Sequence, residues 1–197
     1  MIKHAVATLA FSLSLASSPV HAQDTNCDGW VSRYWDAMIQ FWEAATPETV
    51  VECLGAGASV NARTESGQSP LHLAAAHNKN TEAITALLGA GSDVHIRDAN
   101  GATPLAWAAA INENPNALTL LINAGAEVNL RMHYEGTPLH AAAAHSENPE
   151  VITTLLNSGA DGAAVNDDGE TPFDLAKKNE ALIGTDAYWA LNDARFK

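Results

Sequence analysis

The chain is poor in several things, and each shortage excludes a class of function. Lysine and arginine together number 10 against 23 aspartates and glutamates, a net charge of −13. A chain this short of positive charge does not suit nucleic acid or an anionic membrane surface, both of which need a positive field. Past the first residues there is no run of 18 uncharged apolar residues, so no membrane-spanning helix is expected. Catalytic signatures are missing too: no Gly-x-Ser-x-Gly, no phosphate-binding glycine loop, no His-Glu-x-x-His. Carboxylates are abundant, but in so acidic a chain they read as solvated surface. Neither enzymatic activity nor a cofactor is expected.

Cysteine is scarce as well, with only Cys27 and Cys53. How they behave depends on the compartment. Residues 1–22 have the form of a secretory signal: Lys3 and His4, the apolar run Ala5 to Ala16, then Val20-His21-Ala22 at the cleavage point. Cleavage after Ala22 removes one basic residue, Lys3, and takes the net charge from −13 to −14. The expectation is an exported protein, periplasmic or secreted, with no membrane insertion once the signal is gone. In an oxidising compartment a Cys27–Cys53 bond is the default. The alternative is two free thiols with Cys53 in the core. Cys27 precedes the first expected helix and Cys53 lies near the end of the second, and these ends adjoin in an antiparallel pair.

What the chain has is a period. Pro70, Pro104, Pro138 and Pro172 stand 34 residues apart, inside Gly67-Gln-Ser-Pro-Leu-His-Leu-Ala-Ala, Gly101-Ala-Thr-Pro-Leu-Ala-Trp-Ala-Ala, Gly136-Thr-Pro-Leu-His-Ala-Ala-Ala and Gly169-Glu-Thr-Pro-Phe-Asp-Leu-Ala. A fixed period of this length means stacked units. Each begins a helix, with Ser or Thr as cap, proline in the first turn and paired alanines that let a neighbour lie close. A second helix follows in register at Thr46-Pro, Asn80-Thr, Asn114-Pro and Asn148-Pro. Its apolar stripe recurs as Val50, Cys53, Leu54; Ile84, Leu87, Leu88; Leu118, Leu121, Ile122; and Ile152, Leu155, Leu156. Gly57, Gly91, Gly125 and Gly159 supply the left-handed stop. The linkers that follow alternate and end in turn residues such as Asp98-Ala-Asn-Gly101, which reads as a β-hairpin-like finger.

These motifs resemble ankyrin repeats: Thr/Ser-Pro-Leu-His-x-Ala at 69–74 and 137–142, and Gly-Ala-Glu-Val-Asn at 125–129. The resemblance implies an all-α repeat solenoid of helix-loop-helix units with β-hairpin-like fingers and helical caps. The expected organisation is 1–22 signal peptide, 23–45 N-terminal segment and capping helix, 46–180 repeats, and 181–197 C-terminal capping helix. This chain departs from the family pattern in a 34-residue period, one residue longer than usual, and in Ala106 and Asp174 where His72 and His140 stand elsewhere. Residues 30–44 read as one amphipathic helix with Val31, Trp35, Met38 and Trp42 on a stripe, and residues 185–195 as a last helix that buries Tyr188, Trp189 and Leu191. Those aromatics are either cap packing or a partner patch.

No metal site is expected. His72 and His140 lie two units apart, about 20 Å at roughly 10 Å per helix layer, whereas shared ligation needs donors about 2 Å from one ion. Surface recognition remains. The resemblance places it on the concave side, formed by the fingers and the exposed ends of the first helices. The partner-binding candidates are therefore Arg63, Glu65, His77, Arg97, Asn100, Ile111, Arg131, Met132, His133, Tyr134 and His145. Arg63, Arg97 and Arg131 form a row, one per finger, and could meet carboxylates of a partner or simply reflect a basic residue common there in the family. Arg131 to Tyr134 is a bulky finger of interface-prone types, or one that folds its aromatic onto the next unit. The expected protein is a non-catalytic monomer that binds another protein, as an accessory to an envelope or oxidative-stress protein. Alternatives are an immunity protein that neutralises a secreted toxin, or a structural envelope component.

Overall fold

The computed structural model describes residues 27–33, 35–133 and 136–196. The signal segment 1–22 and Tyr134 lie outside the described residues. Among those described, ten α-helices follow a one-turn 3₁₀ segment, Cys27–Gly29: α1 (Trp35–Ala44), α2 (Pro47–Gly55), α3 (Pro70–His77), α4 (Glu82–Gly89), α5 (Pro104–Ile111), α6 (Pro115–Asn123), α7 (Pro138–His145), α8 (Pro149–Asn157), α9 (Pro172–Ala176) and α10 (Asp186–Ala194). They form two rows. The odd helices pack side by side as an inner row, the even helices as an outer row, and each odd helix from α3 packs on the even helix that follows it. Five units result, α1/α2 to α9/α10. The terminal helices are therefore not separate caps: α1 takes an inner-row place against α3, and α10 an outer-row place against α8 and α9.

Local chemistry explains the helix starts. Thr46, Ser69, Thr103, Thr171 and Thr185 each accept a hydrogen bond from the backbone N–H three residues on, covering a donor the helix leaves unpaired. Asn80, Asn114 and Asn148 do the same for the N–H two residues on. In the second unit Thr81 stands where α2, α6 and α8 have proline, and its φ of 65° is unusual for a β-branched residue. Helix α4 accordingly begins one residue late. The two rows also bury themselves differently. Within the inner row α3 is buried continuously from Pro70 to Ala76 and α7 from Pro138 to Ala143, whereas the end helix α1 buries only Met38 and Trp42. Outer helices bury one stripe, Val50 and Cys53, then Ala83, Ile84 and Leu87, Ala117, Leu118 and Leu121, and Val151, Ile152 and Leu155, with Leu54, Leu88, Ile122 and Leu156 of the expected stripe only partly buried.

Two expectations need correction. First, the fingers are not β-hairpins. Among the described residues there is no strand, only an isolated antiparallel bridge between Met132 and Gly136. Each finger has a backbone bond across its base, Thr64 N–H to Gln68, Asp98 to Ala102, Met132 to Gly136 and Asn166 to Glu170, and in three of them a glycine N–H returns to the first residue, Gly67 to Thr64, Gly101 to Asp98 and Gly169 to Asn166. Side chains take the next donors. Asp98 Oδ1 accepts from the N–H groups of Asn100 (2.8 Å) and Ala102 (2.9 Å), and Asn166 Oδ1 from Asp168 and Glu170. That local turn competes with a ladder and wins.

Second, no single helix runs from residue 30 to 44; α1 begins at Trp35. Trp30 turns back instead. Its Nε1–H bonds the carbonyl of Ser59 at 2.9 Å, and its ring lies 5.2 Å from Trp42 and 6.3 Å from Phe41. Cys27 and Cys53 form a disulfide across 26 residues of sequence, a closure that stabilises by about 3.5 kcal/mol on the chain-entropy account. At the far end Leu191 is buried and Tyr188 packs on Phe173 at 4.9 Å, while Trp189 is exposed.

Candidate functional site

Two kinds of polar latch join the inner row. The first is histidine. His72 Nδ1 accepts from the Ser69 N–H (3.0 Å), and its Nε2–H donates to the carbonyl of Ala102 (3.0 Å) in the next unit. His140 does the same with the Thr137 N–H (3.1 Å) and the Glu170 carbonyl (3.1 Å). Burial pushes both imidazoles below their usual pKa, which keeps them neutral and able to play these two roles. Glycine is required at 136, where φ is 84° and a Cβ would stand 2.8 Å from the His140 ring. Asp174 replaces histidine in the last unit and caps Thr171; Lys177 and the Thr171 donors hold its carboxyl far below the usual range.

The second latch is asparagine at the end of the inner helix. Asn78 Nδ2 donates to the carbonyls of Trp42 and Ala45, Asn112 Nδ2 to those of Ala75 and Asn78, and Asn179 Nδ2 to those of Ala143 and Ser146. Sequence reading gives these residues no role between units. The signal it had was the recurrence of Asn78 and Asn112, 34 residues apart, each just past an alanine-rich helix.

Both latches are missing at one place. Ala106 has no polar group to offer the next unit, and Ser146 bonds Asn148 within its own loop. So the junction of the third and fourth units has neither. Met132 packs against Ala106 there, and a recess of about 180 Å³ opens beside Ala106, Trp107, Ile111, Met132, Ala141 and His145.

The candidate residues sort into three groups around this feature. The arginine row faces the chain itself: Arg63 donates to the carbonyl of Arg97, Arg97 to those of Gly101 and Arg131, and Arg131 to Val165 and to the Asp167 carboxylate (3.1 Å). Met132 turns inward, buried against Ala102, Ala106 and Ala141. Ile111, His133 and His145 are exposed, Glu65 and Asn100 lie exposed on fingers, and His77 is half-buried with its ring edge-on to Trp35 at 6.1 Å. Burial lowers the His77 pKa despite the nearby Glu43.

Trp107 is a member that sequence reading missed. Its Nε1–H bonds Asp98 Oδ2 at 3.0 Å, and its ring lies 6.1 Å from Trp35. Leu73, Ala141 and Leu175 hold the equivalent position, so its size was the clue. Trp35 and Ile111, 42% and 47% exposed, put apolar surface on this otherwise alanine-lined face.

Among the described residues no cluster of three or more His, Cys, Asp or Glu could hold a metal ion, and no helix is long and apolar enough to cross a membrane. A stack of helix pairs with an open inner face, and with polar groups committed to joining its units, belongs to the non-catalytic interaction scaffolds. The family model for ankyrin repeats (3 copies) matches residues 39–132 and 108–184. The chain belongs to the ankyrin-repeat family, whose repeats are non-catalytic protein-interaction modules. No curated protein matches it.

Proposed function

We propose that this chain is a periplasmic recognition module, a monomer that holds a partner protein on its inner face and serves as accessory to an envelope or oxidative-stress protein. The observation that carries the reading is the exposed apolar surface of Trp35 and Ile111 beside Trp107, where α3 and α7 have His77 and His145 at the place of Ile111. Exposed aromatic and branched side chains set in a concave polar rim are what binding centres use. Export is supported by the signal-like start and agrees with the Cys27–Cys53 bond.

The test is crosslinking and affinity capture from the native compartment, with Ile111→Asp compared with Val51→Asp. Val51 is a 66%-exposed residue on the outer row. The first substitution should abolish capture and the second should leave it intact. Equal capture by both variants would remove the inner face from the function. A precursor that is never processed, or a protein confined to the cytosol on fractionation, would remove the location.

A further inference from the structure

We infer that the recess at the junction of the third and fourth units is the anchor of the binding face, and that it receives one bulky apolar side chain from a basic segment of the partner. This rests on the inner face being the recognition surface and adds the chemistry it selects.

The first argument is space. In the second and fourth units an imidazole fills the gap between the inner helix and the next finger. Ala106 puts no imidazole there, Met132 packs against it without closing the face, and Ala141 offers only a methyl group where Leu73 and Leu175 stand in other units. Met132 and Trp107 line the opening. At about 180 Å³ the recess is of a size to admit a phenyl ring or a leucine-sized side chain, since an apolar cavity of about 150 Å³ accepts benzene.

The second argument is charge. Ile111 and His145 also border a neighbouring hollow with Glu113 and Glu147. Both carboxylates are exposed, and neither has an ion-pair partner among the described residues. The nearby arginines Arg97 and Arg131 are instead hydrogen-bonded to carbonyls of neighbouring fingers, and Arg131 also to Asp167. The charge on offer at the rim is thus negative, so lysine or arginine flanking the anchor residue is attracted and an acidic partner is repelled.

The test is an unbiased display library of nonapeptides selected on the purified protein, followed by binding isotherms of the enriched peptides. The enriched set should carry one phenylalanine, leucine or methionine flanked by lysine or arginine. Ala106→His puts into the wall of the recess, against Met132, the residue that the second and fourth units carry at this place. It should weaken those peptides at least tenfold while the melting temperature stays level or rises. Glu113→Lys with Glu147→Lys, at exposed positions, should also weaken them at least tenfold and flatten their salt dependence. Enrichment of acidic peptides, enrichment of none, or unchanged affinity in Ala106→His overturns the inference. If Ala106→His captures the native partner normally while Ile111→Asp does not, the anchor is wrong and the recognition module stands. If neither variant loses the partner, both fall.

Discussion

The second and third units are joined by His72 reaching the Ala102 carbonyl and by Asn112 reaching those of Ala75 and Asn78, whereas the third and fourth have Ala106 and Ser146 at the same places. The second of these junctions is not severed. Asn148 Nδ2 still donates to the Glu113 carbonyl, and the His133 N–H to that of Asn100. It has lost its buried polar fastening and gained a recess. Two junctions built from one repeated pattern thus divide the work: one fastens the stack, the other leaves an opening in its face. In a repeat array each interface contributes nearly independently, so one junction can be loosened without unravelling the rest.

The largest effect should come from outside both junctions: Cys27→Ser with Cys53→Ser should lower stability by about 3–4 kcal/mol in urea unfolding, and a reductant should reproduce that loss in the native chain. Next, Asn112→Ala strips two buried carbonyls of their donor and should cost about 2–3 kcal/mol. Ser146→Ala, at the matching place in the bare junction, should cost under about 1 kcal/mol. Equal costs would mean that the two junctions are fastened alike.

A smaller effect separates the same regions by pH. Burial depresses the pKa of His72, His77 and His140 in the folded state, so the unfolded chain binds more protons just below the ordinary histidine value. Stability should be complete above about pH 6.5 and fall as pH drops toward the depressed folded values, read as a falling urea midpoint. Finally, native-state hydrogen exchange should show faster amides beside the third–fourth junction, at Met132 and Ala141, than at Asp98 and Trp107, which hold the equivalent positions one unit earlier in better-fastened surroundings.

Much of the fold was legible because the pattern repeats. Proline after a capping hydroxyl marks the inner helices, and i, i+3 apolar pairs mark the outer ones. The fingers were misread because alternation looks the same whether a strand partner or a side chain takes the donors, and Asp98 and Asn166 take them here. The arginine row was visible, but not its target: a residue repeated every unit lies close to the backbone of its own copy, so Arg63 meets the carbonyl of Arg97 and Arg97 that of Arg131. The recess could not be read from any single position. Ala106, Ala141 and Ser146 are each ordinary alone, and only the stack sets the two alanines beside Trp107 and Met132.

The proposed function requires a partner seated on the inner face around Ile111. Its most direct test is a photo-crosslinking amino acid placed at position 111 and, separately, at position 51 in producing cells. Position 111 should give a discrete crosslinked species of defined mass and position 51 none. A crosslink from position 51 with none from 111 would contradict it.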